Sequence, residues 1–322
     1  GRLGDKQIAK YTTVRNNLSQ YQAHLGRDVI CSEFNKSMFL DYQNFLNDKY
    51  KLEGKPYGYI VNTMAKKANT LTAILRKLSK NKDLGLSIDL SDSSLRIDEV
   101  PAADSEAFIS EHDLQLVLDA NTLSIKSFEN ARNYIIVSAL TSLRYEDMAH
   151  LHGLKVEEVD GSGAKFNGVD TLIRKPTNQS KKDFRTFIPI LKPVMDVIES
   201  NNGRFPRFPA NSSMNTQLKK FAKHLGLDES FKVTRHYYNL PDPVVTYEPL
   251  YDLITCHMGR DSFVTNLRKL GVNHNTIMNI SHPERSKDTM GKYYDKTTLV
   301  DNAALLVNEI NRLSDKTRIY RV

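Results

Sequence analysis

The 322-residue sequence contains no tryptophan and no apolar run of the roughly 18–20 residues that a membrane-spanning helix needs, so we expect no membrane partner. It has only two cysteines, Cys31 and Cys256, too few and too far apart for a disulfide scaffold or a four-ligand zinc site. This scarcity favours a reducing, cytoplasmic setting, and the first residues do not resemble a signal peptide. A glycine-rich nucleotide loop, a Walker lysine motif and a His-Glu-x-x-His zinc helix are also missing.

Charge is distributed unevenly along the chain. Residues 1–82 carry 15 Lys and Arg against 6 Asp and Glu, whereas residues 83–119 carry 10 acids and one base. The remainder, 120–322, therefore holds the whole formal charge of +7. Two basic blocks that flank a short acidic block indicate a polyanionic partner, with nucleic acid first, although ordinary charge scatter is the alternative.

The first 83 residues predict a basic helical domain, which the charge distribution makes a candidate for binding nucleic acid. Helices are expected over about 6–25 and 59–78, and between them aromatic residues recur at three- and four-residue steps after an N-cap at Asn35. The candidates for contact with DNA are the basic residues of the later helix: Lys66, Lys67, Arg76 and Lys77.

Residues 84–104 are polar and acidic without a helical period, so we assign them to a linker before a second domain at 105–322. That domain begins with a capping box at Ser110 and Asp113 and continues with a strong helix over about 129–142. Residues of β type broken by glycines over 154–190 predict a small antiparallel sheet. Helices are expected again, with a loop at 239–243, over 191–200, 213–226, 258–270, 274–280 and 297–314.

The residues that could carry chemistry are scattered through the second domain. Each alone has an ordinary explanation, because an arginine at a helix end or a lysine in a hairpin is common in any protein. They are Arg144 in Thr-Ser-Leu-Arg, Lys181 in Gln-Ser-Lys, His257 and Arg260 in Cys-His-Met-Gly-Arg, His282 after Asn-Ile-Ser, and the pair Tyr293 and Tyr294.

In this order and spacing the phrases resemble those of the tyrosine recombinase family, the phage-type integrases. The resemblance covers nearly the whole chain. The sequence departs from the family pattern at Ser142 and Ser281, where glycine is common in the family. Gln179-Ser180-Lys181 resembles the lysine hairpin of a phage integrase, with Lys175 and Lys182 as alternatives. The phrases around His257 and His282 are most similar to integrases of mobile elements in Bacteroides-type bacteria.

The resemblance implies a mainly α fold with a small antiparallel β-sheet, in which a SAM-like helical core-binding bundle precedes an α+β catalytic domain. It also implies DNA strand transfer without a metal or cofactor, in which Arg144 and Arg260 bind the phosphate. His257 would act as general base, Lys181 as general acid, and His282 as a hydrogen-bond donor to the phosphate. The spacing between Asp-Thr-Met and the tyrosine favours Tyr294 as the nucleophile. Many members of the family have one residue fewer between the threonine and the tyrosine, and that spacing would favour Tyr293.

The implied product is a 3′-phosphotyrosine bond and a free 5′-hydroxyl, in a recombination or integration reaction that passes through a Holliday junction. The implied partners are double-stranded DNA, accessory DNA-bending proteins, and a homo-tetramer joined by exchange of the helix at Thr297–Leu313. That helix could instead dock on its own core. A type IB topoisomerase-like enzyme, a non-catalytic DNA-binding protein and a metal enzyme using His257 and His282 are the alternatives. We expect a bacterial, cytoplasmic, DNA-associated protein.

Overall fold

The computed structural model describes residues 4–86, 88–100, 104–122, 125–159, 165–166, 169–173, 187–282 and 298–322. The chain divides into two compact units. The first comprises Gly1–Ser105 and Lys232–Thr246, and the second comprises Glu106–Phe231 and Tyr247–Val322. None of the described helices combines the length and the apolar content that a membrane span requires.

The first unit is built on three helices: α1 (Asp5–Leu25), α2 (Lys36–Leu52) and α3 (Val61–Leu78). The predicted N-cap is present, because the Asn35 side chain accepts a hydrogen bond from the Met38 N–H at 3.0 Å. The aromatic stripe of α2 faces the core, where Phe39, Tyr42 and Leu46 are buried. The three- and four-residue spacing therefore identified the buried face of this helix.

Two further segments complete the first unit. Residues 84–100, which the sequence analysis assigns to a linker, place Ile88 and Leu95 in the same hydrophobic core. A hairpin from late in the chain adds the strands β5 (Ser230–Arg235) and β6 (Val244–Pro249). With β1 (Asp104–Ser105) they form a three-stranded sheet in the order β1-β5-β6, in which β1 and β5 are antiparallel. The sequence analysis predicted only the loop at 239–243 and missed both flanking strands.

Two tyrosines attach this hairpin to the helices of the first unit. The Tyr238 N–H donates to the Tyr59 carbonyl at 2.8 Å, and the Tyr238 hydroxyl donates to Gln43 Oε1 at 2.9 Å. The ring of Tyr237 lies against the ring of Tyr57, with centroids 5.0 Å apart. The hairpin is thus part of the packing of the first unit.

The second unit surrounds one helix, α5 (Lys126–Thr141), in which every residue from Asn133 to Thr141 is buried. A helix buried on all sides belongs at the centre of a domain. The helices packed against it are α4 (Glu111–Asp119), α7 (Lys192–Ser200), α8 (Asn211–His224) and α10 (Met258–Leu270). The predicted capping box opens α4, since the Asp113 N–H donates to Ser110 Oγ at 3.2 Å and the Ser110 N–H donates to Asp113 Oδ2 at 2.9 Å.

The remaining helices of the second unit are α6 (Tyr145–Ala149), α9 (Leu250–Leu253), α11 (His274–Ser281) and α12 (Leu299–Arg312). The predicted small antiparallel sheet consists of β2 (Lys165–Phe166), β3 (Val169–Ile173) and β4 (Phe187–Pro189). It begins later than predicted, because a 3-10 turn occupies Val156–Glu158. α12 packs on β4 and α11 of its own unit, and its Ala303, Leu306 and Val307 are buried.

Candidate active site

The end of α5 leads into the turn that carries Arg144. Ser142 ends the helix with a left-handed backbone, φ 57°, a conformation that glycine adopts readily and serine does not. Leu143 is buried, and the half-buried Arg144 stands at the start of α6, where its N–H donates to Asp147 Oδ2 at 3.1 Å. The turn therefore presents Arg144 between two helices.

The side chain of Arg260 connects this turn to the start of α10 by hydrogen bonds. Its buried guanidinium donates from Nε and from Nη2 to the Ser142 carbonyl, at 3.0 and 2.8 Å. Nη2 also lies 3.8 Å from Oδ2 of Asp147, and both side chains are 2% exposed. A buried charge is stable only with such partners. The sequence analysis missed Asp147, and its place in the first turn after Arg144 is the only local signal for it.

Close packing of α10 on α5 brings Arg260 to this position. A Cβ atom added at Gly259 would lie 2.1 Å from Oγ and 2.5 Å from Cβ of Ser138. Tyr134 of α5 holds the preceding turn, since its hydroxyl donates to the Cys256 carbonyl at 2.9 Å. The absence of a side chain at Gly259 is therefore a condition for the contact between Arg260 and Ser142.

His257 occupies the N-cap position of α10 and is exposed. The preceding Cys256 is buried, and burial raises the pKa of its thiol to about 11. The thiol thus stays protonated and unreactive near neutral pH, because the thiolate is the reactive form. Of these two neighbouring side chains, only the imidazole of His257 is exposed.

His282 ends α11, the helix that packs on α10. Its Nδ1 lies 3.0 Å from Ser281 Oγ, and that hydroxyl donates its own proton to the Ile277 carbonyl at 2.8 Å. The contact with Ser281 therefore positions the imidazole of His282 at the end of α11.

The structure places His257 and Arg260 at the start of α10, Arg144 two residues after the Ser142 carbonyl that Arg260 binds, and His282 at the end of α11. The other predicted residues lie outside the described part of the chain: Lys175, Lys181, Lys182, Tyr293 and Tyr294. Within the described part, no group of three or more His, Cys, Asp or Glu side chains could hold a metal ion.

The predicted DNA-contacting residues divide between two faces of α3 in the first unit. Lys66 and Lys67 line a groove between α1 and α3 together with Lys10. Arg76 lines a different cleft, and the Lys77 ammonium donates to the Tyr11 hydroxyl at 2.9 Å. The groove lined by Lys10, Lys66 and Lys67, here called the basic groove, is the richer in cations.

No protein-family model and no curated protein matches the sequence. Two solved structures of the Tn1549 transposon integrase are 15% identical to this chain. One, in complex with a circular intermediate DNA, has a TM-score of 0.51 over 97% of this chain and 95% of that chain. The other, in complex with transposon right end DNA, has a TM-score of 0.50 over 98% and 95%. An integrase from mycobacterium phage Brujita is 16% identical, with a TM-score of 0.40 over 97% and 87%. The chain therefore has the fold of these transposon integrases, the mainly helical tyrosine-recombinase fold that its sequence predicts.

Proposed function

We propose that this chain is a site-specific DNA recombinase of the integrase type, which cuts and rejoins strands through a 3′-phosphotyrosine intermediate for a mobile element. One observation carries the proposal: Arg260 binds the carbonyl of Ser142, two residues before Arg144. This contact between two segments that lie far apart in the sequence supports the assignment of Arg144 and Arg260 to one site. The integrase fold supports this assignment.

Arg144 and Arg260 bind the scissile phosphate in this proposal. Guanidinium groups form paired hydrogen bonds with phosphate oxygens and stabilise the charge that develops in the transition state. Arg260 lies in a buried environment, where electrostatic interactions are stronger than in water. Ser142 and Asp147 are positioning residues, because they act on the phosphate through Arg260.

Tyr294 is the proposed nucleophile, with Tyr293 as the alternative. A tyrosine hydroxyl has an unperturbed pKa near 10, so it must lose its proton as it attacks. The phenolic oxygen bonds to phosphorus, the bond from phosphorus to the 5′-oxygen breaks, and the phenolic proton passes to His257. Lys181, with Lys175 as the alternative, donates a proton to the departing 5′-oxygen. Attack by a second 5′-hydroxyl then restores a phosphodiester without ATP.

His282 is the proposed hydrogen-bond donor to the phosphate. Its imidazole ends α11, where Nδ1 lies 3.0 Å from Ser281 Oγ. Ser281 is therefore a positioning residue for His282 in this scheme.

Double-stranded DNA is the proposed partner, with phosphates along the basic groove of the first unit. The active assembly is a homo-tetramer, aided by accessory DNA-bending proteins. α12 buries its apolar face on its own unit here, and exchange between subunits would place that face on a neighbour.

A covalent-capture experiment tests the proposal. The full chain is incubated in EDTA with nicked duplexes of randomised sequence, and adducts that withstand SDS are recovered and mapped by peptide mass. We expect an adduct on Tyr294 that Tyr294→Phe abolishes, and an adduct on Tyr293 would change only the nucleophile. Adducts without sequence preference, with relaxation of supercoiled DNA, would favour a type IB topoisomerase. Binding without any adduct would contradict strand transfer and leave a DNA-binding protein.

A further inference from the structure

The first unit contains an aromatic cleft of about 390 Å³ between the turn before α3 and the hairpin of β5 and β6. Its walls are largely aromatic and cationic: Tyr50, Tyr57, Tyr59, Tyr237, Lys55 and Arg235. Among the described residues that line it, none is acidic. This volume lies within the range of sites that bind small ligands.

The four rings form two pairs. Tyr50 and Tyr59 stack in parallel, with centroids 3.9 Å apart and planes 7° apart. Tyr57 and Tyr237 are tilted by 40° at 5.0 Å, and Tyr57 keeps 45% of its surface exposed. The first pair is a closed stack that supports the wall, and the second leaves ring surface for a planar ligand.

The turn that carries Tyr57 and Tyr59 is held in place. Gly58 has a φ of +74°, and a Cβ atom there would lie 2.2 Å from Oδ1 of Asn47. The same oxygen accepts a hydrogen bond from the Tyr59 N–H at 2.8 Å. Because Asn47 is fully buried, the turn is fixed before any ligand arrives, which lowers the entropic cost of binding.

The cleft adjoins the basic groove. Thr63 lines both, and the ammonium of Lys67, which lines the groove, lies 4.9 Å from the ring centroid of Tyr59. Burial raises the pKa of Tyr59, so its ring is neutral and interacts with Lys67 as a π system. A strand bound along the basic groove thus passes close to the tyrosines.

We propose that the aromatic cleft binds one extrahelical nucleotide of the DNA, with its base stacked on Tyr57 and Tyr237. Lys55 and Arg235 are placed to attract its phosphate. Aromatic side chains stack with any base, because every base has a π face, and cations alongside them favour the anionic backbone. This inference rests on the proposed DNA-binding function and adds to it a site for an unpaired base.

Fluorescence anisotropy with the full chain tests the proposal. Two labelled duplexes share one sequence, and one of them carries a single unpaired 2-aminopurine nucleotide. We expect the bulged duplex to bind about tenfold more tightly, with quenching of the 2-aminopurine emission. Tyr57→Ala should remove both effects, and Tyr57→Phe should keep them. Tyr247→Ala, at an exposed tyrosine of the second unit, is the matched control and should also keep them.

The possible failures can be told apart. Equal affinity for the two duplexes, or a preference that survives Tyr57→Ala combined with Tyr237→Ala, would overturn the nucleotide site. Binding of a polyproline peptide that depends on Tyr57, without a bulge preference, would assign the cleft to a peptide. If neither duplex binds while a thymidine pentanucleotide still binds through Tyr57, the recombinase proposal is contradicted and the assignment of the cleft as a nucleotide site is retained. Loss of all three ligands overturns both.

Discussion

The guanidinium of Arg260 donates two hydrogen bonds to the carbonyl of Ser142, which precedes it by 118 residues. Carbonyl groups in the last turn of a helix have no partner within that helix. Arg260 therefore satisfies one of the open carbonyls at the end of α5 while it fixes its own position. One contact both caps a buried helix and holds a candidate catalytic arginine.

Replacing Arg260 by lysine keeps the charge but loses the rigid two-donor contact with Ser142. We expect strand cleavage, measured by covalent capture, to fall about 10²–10³-fold, with little change in DNA affinity. Arg268→Lys changes an exposed arginine of the same helix and should cleave at the original rate. Equal rates for the two variants would show that the geometry of Arg260 is dispensable.

Ser142→Gly should stabilise the protein. A left-handed backbone costs a residue with a Cβ about 1 kcal/mol, and the buried Ser142 hydroxyl has no hydrogen-bond partner to lose among the described residues. We expect the melting temperature, followed by circular dichroism, to rise by roughly 2–4 °C. Ser142→Ala removes the hydroxyl and keeps the backbone strain, so it should gain less. A glycine variant that melts no higher than the alanine variant would contradict the strain argument.

Gly259→Ala should destabilise the second unit, because the new methyl group overlaps Ser138 on α5. Overpacking of this kind typically costs about 1–3 kcal/mol, which urea denaturation measures directly. We also expect slower strand cleavage, since α10 carries both His257 and Arg260. Adding Ser138→Gly to Gly259→Ala removes the nearest atoms and should recover part of the stability. Simple additivity of the two losses would argue against a direct clash.

His152 should make the second unit sensitive to acid. It is half-buried, its Nε2 accepts a hydrogen bond from the Phe208 N–H at 3.3 Å, and burial followed by the charge of Arg207 lowers its pKa below the ordinary 6.5. Below pH 6.5 the unfolded chain thus binds more protons at this residue than the folded chain. The stability that His152 contributes above pH 6.5 is lost as the pH falls toward its folded pKa.

Urea midpoints measured at pH 7.5 and pH 5.5 check this prediction. His152→Gln should lose less stability between the two values than the original protein. His112→Gln, at an exposed histidine, should behave like the original protein. If His152→Gln and the original protein lose equal stability, the acid sensitivity comes from other groups.

Local patterns in the sequence predicted much of the fold. The stripe on α2, the N-cap at Asn35, the capping box of α4 and the small sheet all appear in the structure. These features depend on residues only a few positions apart, where spacing alone determines which side chains share a face. The phrase around His257 and Arg260 likewise marked the start of α10.

The contacts between distant segments could not be read in the same way. The contact between Arg260 and Ser142, the partner role of Asp147 and the fit of Gly259 against Ser138 each depend on how separate helices pack. Phe231 and Val233 of β5 alternate with polar residues, a local signal that the sequence analysis missed, whereas the attachment of β5 and β6 to the first unit follows from long-range pairing. The domain boundaries and the roles of Lys181 and Tyr294 stay predictions.

The hairpin at Lys232–Thr246 has a consequence for how the protein is made. Domains usually fold as units during synthesis, with the N-terminal one first. Here the first unit lacks part of its packing, including Tyr238 and the strand that pairs with β1, until residue 246 has left the ribosome. The N-terminal helices can therefore complete their packing only after more than half of the chain beyond Ser105 has been synthesised. A fragment that ends near Ser105 lacks the segment Lys232–Thr246 of the first unit.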